Sequence, residues 1–221
     1  KTSGLGGSAN AQPFFDPFTG IALAHNGHVT NVPQVEAELA RRGQGLAADC
    51  DAEALLRVLS LWFEHHRRLA PADPESEVMF RAIEEVQRRV TGAYSTVVAT
   101  PSGLYGFRDP HGFRPMVRGL RERGHRRAVM VASEPPALEQ NGFEVAEEVP
   151  PGVAFFVGRD LAVDRRVLLA REAPITRLVV DGSTLFFAEG GLIASTSTRG
   201  DEGLTVRARF AEGTTELRNY T

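Results

Sequence analysis

The hydrophobic periodicity of this 221-residue chain changes once, near Ala93, and that switch limits the fold more than any single motif. Upstream of it, apolar residues recur at helical spacing. Val35 and Leu39 mark a first helix that starts near Pro33, with Asn31 placed to cap it and Gly43 to end it. Leu55, Leu56, Leu59, Trp62 and Phe63 mark a second, capped by Asp49 or Asp51 and stopped by Pro71. Val78, Met79, Ile83, Val86 and Val90 mark a third, over roughly Glu75 to Val90. Downstream, short β-rich runs take over: Ser95 to Thr100, Leu104 to Arg108, Phe113 to Arg118 and Ala128 to Ala132, separated by turn-forming tripeptides and tetrapeptides. A short helix capped by Ser133 and ending near Gly142 interrupts them. Further strands are predicted at Phe143 to Val149, Val153 to Val157, Val167 to Ala170, Leu178 to Val180, Leu185 to Ala188, Leu204 to Phe210 and Thr215 to Tyr220. Ahead of the helices, the first fourteen residues have a loop composition, and Ile21 to Ala24 read as a strand stopped by a tight Asn26-Gly27 turn. A block of helices with antiparallel strands around it implies an α+β layered domain.

Composition then narrows the function. Apolar residues at 42% and charged residues at 24% describe a globular chain with a sizeable core. A net charge of −3 gives no general attraction for a polyanion, so nucleic acid is not an expected partner. Arg118, Arg121, Arg123, Arg126 and Arg127 do cluster, but they flank a turn and read as a solvated loop. No apolar run approaches the ~20 residues of a membrane span, and Lys1 opens on Thr-Ser-Gly-Leu-Gly-Gly rather than on a secretory signal. A cytoplasmic location without membrane partners is expected. The single cysteine, Cys50, excludes an intrachain disulfide and a thiolate zinc cluster. His25 and His28 have no carboxylate or Cys beside them at ligand spacing, so neither a metal nor another cofactor is expected.

Two segments carry chemistry. In His25-Asn26-Gly27-His28, a carboxamide and a glycine N–H lie next to each other where a strand ends, an arrangement that can stabilise an oxyanion or simply form a hairpin turn. Asp49-Cys50-Asp51-Ala52-Glu53 places acids at a helix start, where they suit the macrodipole. The dipole lowers the pKa of a thiol there and the neighbouring carboxylates raise it, so Cys50 reads as a small buried residue rather than a nucleophile. Asp109-Pro110-His111-Gly112 reads as hairpin chemistry, and His65-His66 as helix surface.

Taken in order, Asn10-Ala11-Gln12-Pro13-Phe14, Ile21 through Asn31, Gly92-Ala93-Tyr94-Ser95, Arg108-Asp109-Pro110-His111-Gly112-Phe113-Arg114-Pro115, Ala132-Ser133-Glu134 and Val149-Pro150-Pro151-Gly152 follow one family pattern. Over about Thr2 to Val157 the chain resembles the glutaminase domain of amidophosphoribosyltransferase, a class II glutamine amidotransferase of the N-terminal-nucleophile (Ntn) hydrolase fold. The resemblance implies a four-layer αββα sandwich and glutamine hydrolysis to glutamate and ammonia, in relatives of a purine-biosynthesis type. It implies an oxyanion-hole pair at Asn26 and Gly27, a carboxylate at Asp51 that holds the glutamine α-amino group, and a substrate contact at Thr2. The family's carboxylate-binding Arg would fall before Lys1.

The resemblance also implies an N-terminal Cys nucleophile whose own α-amine is the base. Lys1 stands first in this sequence, so the chain as given is expected to be inactive, either an amidotransferase domain without its upstream part or a non-catalytic pseudoenzyme serving as a binding or assembly module. Gly190-Gly191-Leu192-Ile193-Ala194 and Arg199-Gly200-Asp201-Glu202-Gly203 resemble the family's opening strand and its later Arg-Gly segment. Circular permutation would account for them, with Gly190 at the nucleophile position and Arg199 in the substrate pocket, and a Gly-Gly hairpin accounts for Gly190-Gly191 as well. The expected organisation is an amidotransferase-like core over 1–160, with 161–221 adding β segments that can complete the same domain. Expected partners are glutamine or a related small amide, with a synthase partner chain or a second copy of this chain. No phosphoribosyltransferase half is seen in the sequence.

Overall fold

A computed structural model of the chain describes residues 10–48 and 50–169 and, beyond them, the backbone of five strands between residues 179 and 220. The chain divides into two units, Lys1–Ala170 and Arg171–Thr221.

The first unit begins with a hairpin of β1 (Phe14–Asp16) and β2 (Ile21–Val29), followed by three helices, α1 (Val32–Ala40), α2 (Asp51–Leu69) and α3 (Glu75–Arg89). Then come β3 (Gly92–Thr100), β4 (Gly103–Arg108), β5 (Val117–Arg123), β6 (Arg126–Ala132), the short α4 (Pro135–Glu139), β7 (Glu144–Glu148), β8 (Val153–Gly158) and β9 (Val163–Val167). Six strands form one antiparallel sheet in the order β1-β2-β3-β4-β8-β9, and three form another in the order β6-β5-β7.

Three separate apolar clusters show how these elements are layered. The largest joins Leu55, Leu59, Met79 and Ile83 of the helices to Ile21, Leu23, Tyr105 and Phe107 of the six-stranded sheet. A second joins Val153, Phe155 and Val157 of β8 to Val129 and Val131 of β6, so it fills the space between the sheets. The third lies under α4, where Leu138 meets Val117, Phe143, Met130 and Ala132. Alternation along the strands makes this possible: Val129 and Val131 point to one side of β6, and Ala128, Met130 and Ala132 to the other. Three cores between four layers give the αββα sandwich.

Several local expectations give way to tertiary contacts. Asn31 makes no capping bond; its Nδ2 donates to Arg89 O at 2.7 Å and its Oδ1 accepts from Thr91 N at 2.8 Å, tying the start of α1 to the end of α3. The N-cap of α2 is Cys50, without a side-chain cap bond, and Asp51 is the first helical residue. Glu134, not Ser133, is the N-cap of α4. The strand expected from Phe113 begins at Val117 instead, and β9 begins at Val163 rather than Val167. A short strand, β1, lies at the end of the segment read as loop.

The second unit is a five-stranded antiparallel meander of β10 (Val179–Asp181), β11 (Thr184–Glu189), β12 (Leu192–Ser197), β13 (Leu204–Phe210) and β14 (Gly213–Tyr220). Both hydrogen-bonding edges of β12 are taken, by β11 and β13. Gly190 and Arg199, on which the permuted arrangement turns, lie outside the described residues, as does Thr2. Among the described residues no helix is long and apolar enough to cross a membrane.

Candidate functional site

The Asn26-Gly27 pair is not a turn. β2 runs through it unbroken, with His25 opposite Thr96, Asn26 opposite Ser95 and Gly27 opposite Tyr94. Gly27 has φ 158°, and a Cβ there would sit 2.0 Å from Ala93 O, so only glycine lets the two backbones approach this closely. Asn26 is exposed on the face of β2 that looks toward the second sheet. It lines a cavity of about 190 Å³ with Ser95, Val97, Met116, Val131 and Ser133. Its Nδ2 donates to Ser133 Oγ at 3.4 Å. That space is smaller than the ~300–1,000 Å³ of a drug-sized ligand site.

The Arg108-to-Pro115 segment is the crossover from one sheet to the other rather than a hairpin turn, and it braces this corner. Asp109 is fully buried, and its Oδ1 accepts from His111 N at 2.9 Å and Gly112 N at 2.7 Å. Its Oδ2 accepts from Tyr94 N at 3.1 Å, directly across from Gly27. Arg108, held below its ordinary pKa by burial, donates to the carbonyls of Val149 and Gly112. Ser95 Oγ donates to Arg114 O at 2.8 Å. A carboxylate that collects backbone donors in this way forms an Asx-type turn, which is why no strand forms before Val117.

Asp51 is positioned from the helix side of the same strand. Its side chain is 4% exposed, with Oδ1 3.2 Å from His25 Nε2 and Oδ2 accepting from Val29 N at 3.0 Å. His28 Nδ1 lies 3.7 Å from Oδ2, on a side chain that is 51% exposed. Cys50 is buried, its Sγ 3.9 Å from Asp51 Oδ1. Glu53 receives Ala47 N at 2.9 Å and the N–H of Ala48, so the acids of the first turn fasten both β2 and the preceding loop to α2. Beside Asp51 opens a cavity of about 450 Å³, lined among others by His28, Thr30, Glu36, Leu46 and Cys50.

Asn26 and Asp51 therefore border different cavities, one between the sheets and one beside the helices. The strand between them has an open side. β1 pairs only with Ile21 to Leu23, so from Ala24 onward the outer edge of β2 carries no strand among the described residues, and Gln12 Oε1 accepts from His25 N there at 2.6 Å. The sequence reading missed His25, Ser133, Arg108 and Asp109 as site-forming residues. For His25 a signal existed: it occupies the inward phase of Ile21, Leu23 and Val29, and a polar side chain in that phase needs a buried partner. Among the described residues no group of three or more His, Cys, Asp or Glu side chains is arranged to hold a metal ion.

Two antiparallel sheets enclosed by helix layers, with this polar corner at the end of an inner strand, define the Ntn-hydrolase amidotransferase class. A solved glutamine phosphoribosylpyrophosphate amidotransferase from B. subtilis is similar, with a TM-score of 0.57 and 25% identity over 73% of this chain and 32% of that one. Another solved structure, described as the allosteric regulatory enzyme of purine biosynthesis, shares the fold at a TM-score of 0.59 and 24% identity, again over 73% and 32% of the two chains. The chain is 35% identical over 160 residues to the amidophosphoribosyltransferase of Pasteurella multocida, and 37% identical over 160 residues to that of Pseudomonas aeruginosa. Each alignment covers 71% of this chain and 31% of the relative, so the chain spans about a third of the length of these relatives. The glutamine amidotransferase domain family matches residues 4–140, and the chain belongs to that family.

Proposed function

We propose that this domain binds glutamine, with its α-ammonium on Asp51 and its side-chain amide on Asn26 and Gly27, as the glutaminase part of an amidophosphoribosyltransferase-like assembly. The observation that carries the reading is the Asp51 carboxylate, buried yet bordering a cavity, and oriented by His25 and Val29 N. A carboxylate fixed in this way is ready for a charge-assisted hydrogen bond to an ammonium. Asn26 supplies a carboxamide that can polarise an amide carbonyl and stabilise the oxyanion formed on attack. Thr2 and Arg199 are further substrate contacts on this reading, 1–160 form the amidotransferase core, and 161–221 add β segments to it.

The hydrolytic step needs a nucleophile with a base beside it. Cys50, the sole cysteine of the sequence, is buried at the start of α2 and carries no free amine. The polypeptide of residues 1–221 is therefore expected to bind glutamine without releasing ammonia, and Cys50→Ala to leave that unchanged. The ammonia acceptor belongs to a synthase partner or to another part of the assembly. A purely binding or assembly role is the second reading, since Asn26 and Asp51 are groups that can bind while Cys50 is buried at the start of α2. Calorimetric titration with L-glutamine tests the site. Asp51→Asn should weaken binding by about tenfold or more, the equivalent of one hydrogen bond to a charged group at ~1.5–3 kcal/mol. Unchanged affinity in Asp51→Asn would sink the assignment.

A further inference from the structure

We propose that the tip of the β5–β6 hairpin is a binding site for a small polyanion, an oligophosphate held by Arg121, Arg123 and Arg126 on the outer face of the three-stranded sheet. Strand pairing puts these three side chains on one face. Arg123 lies directly opposite Arg126, and Arg121 directly opposite Ala128, which packs with the core beneath α4. Alternate residues of a strand are ~6.5 Å apart and opposed residues ~4.5–5.5 Å, so three guanidinium groups crowd one end of one hairpin. Like charges set directly opposite each other destabilise a sheet, and a bound anion removes that repulsion.

Two of the three are held in place by the protein itself. Arg121 lies over the Phe143 ring, its Cζ 4.4 Å from the centroid, and its Nη1 donates to Asn141 O at 2.8 Å. Arg123 Nη2 and Arg121 Cδ both lie against Gly142, 3.2 and 3.8 Å from where a Cβ would stand. Beside them opens a cavity of about 300 Å³, lined also by Leu120, Glu122 and Glu144. Glu122 is committed to the opposite face, where its Oε1 lies 2.9 Å from Arg127 Nε. Residues 120–127 together with Glu144 carry four guanidinium groups against two carboxylates. A guanidinium takes a phosphate through two parallel N–H bonds, so the cluster suits a ligand with at least two phosphate groups. Glu139 of α4 and Glu144 of β7, both exposed, flank the cluster and repel a longer polyanion such as a nucleic acid, which limits the ligand to one that fits the hairpin tip.

The test is calorimetric titration of the 1–221 polypeptide with sodium tripolyphosphate at low ionic strength, with metal-free ATP and hexaglutamate for comparison. The wild type should bind tripolyphosphate, and Arg123→Gln and Arg126→Gln should each weaken it by about tenfold, the loss of one charge-assisted pair. Both side chains are exposed, so neither variant endangers folding. Arg126→Gln should leave the urea midpoint unchanged or raise it, because a like-charge pair is relieved. Arg127→Gln is the control: its side chain is paired with Glu122 on the other face, and tripolyphosphate affinity should not change. ATP separates two sources of the same chemistry. Affinity equal to or below that of tripolyphosphate assigns a free phosphate chain, and tighter binding assigns a nucleotide. The proposal is overturned if tripolyphosphate does not bind, or if Arg127→Gln costs as much as Arg123→Gln, which would mean a general field of the hairpin rather than a site. Tighter binding of hexaglutamate overturns it too, by assigning the face to an acidic protein segment.

Discussion

Replacing Asp109 by Asn tests whether the buried crossover carries the site, because it changes the polar atoms while nearly keeping the shape. Asp109 accepts three backbone N–H groups, from His111, Gly112 and Tyr94, at 2.9, 2.7 and 3.1 Å. An Asn side chain can keep its oxygen toward His111 and Gly112, but its NH₂ then faces Tyr94 N–H, donor against donor. Tyr94 is fully buried, so losing the Asp109 acceptor there costs ~1–3 kcal/mol, and losing the charge behind the other two bonds costs ~0.5–1 kcal/mol each. The sum, about 2–5 kcal/mol, is a large part of the ~5–15 kcal/mol by which domains are stable. Tyr94 is also the ladder partner of Gly27, and Ser95 that of Asn26, so the loosening should begin beside the candidate oxyanion pair. Urea unfolding should show the loss in the midpoint, and amide hydrogen exchange should show Tyr94 and Ser95 losing protection before the α2–α3 core. A loss below about 1 kcal/mol, with Tyr94 protection intact, would refute the argument, since the buried bond would then be worth no more than a solvated one.

Gly27→Ala should prevent normal pairing of β2 with β3, because the new Cβ would meet Ala93 O at 2.0 Å; the circular-dichroism melt should lose its cooperative transition or shift down strongly. Gly45→Ala is the control, since nothing lies within 4 Å of its Cβ position, and it should be neutral or stabilising by ~0.4–1 kcal/mol. His66 is held below the ordinary 6.5 chiefly by burial, with His65 adding to the effect. Its folded pKa is depressed, so the unfolded chain binds the proton more readily, and stability should fall as pH drops below about 6.5 and level off below the folded value. Urea midpoints between pH 8 and 5 should show this slope, and His66→Leu should flatten it; an equal slope in the variant would assign it to other groups.

The sequence disclosed those parts of the fold whose signal is periodic. The stripes of α2 and α3 are long enough that tertiary context could not redirect them, and the short apolar runs of β4 and β8 fit strands buried on both faces. Single-residue signals fared worse, for one physical reason. Asn31 and Ser133 have the chemistry of helix caps, but each side chain found a distant partner: Asn31 at Arg89 and Thr91, Ser133 at Asn26. A capping bond is worth ~1 kcal/mol, no more than the long-range bond that replaces it, so local sequence cannot decide between them. The Asn-Gly dipeptide failed in the same way, because the need for close backbone approach to Ala93 selects glycine as strongly as a tight turn does.

The resemblance pointed to Asn26, Gly27 and Asp51 but not to their arrangement, and that arrangement bears most on the chemistry. Asp51 reaches β2 from the helix side, where its oxygens meet the inward-facing His25 and the main chain of Val29. Asn26 is in the other phase of the strand and looks between the sheets. A ligand lying flat on either face could use only one of them. Yet His28 shares the phase of Asn26, two residues on, and its imidazole still comes within 3.7 Å of Asp51. The strand ends at Val29, and among the described residues no strand pairs with its outer edge beyond Leu23, where Gln12 Oε1 accepts from His25 N. On the proposed reading, one glutamine places its α-ammonium at Asp51 and turns its side-chain amide toward Asn26. It follows that Asn26→Ala and Asp51→Asn should each weaken glutamine binding and, because both act on one ligand, should show a measurable coupling energy in a double-mutant cycle rather than strict additivity.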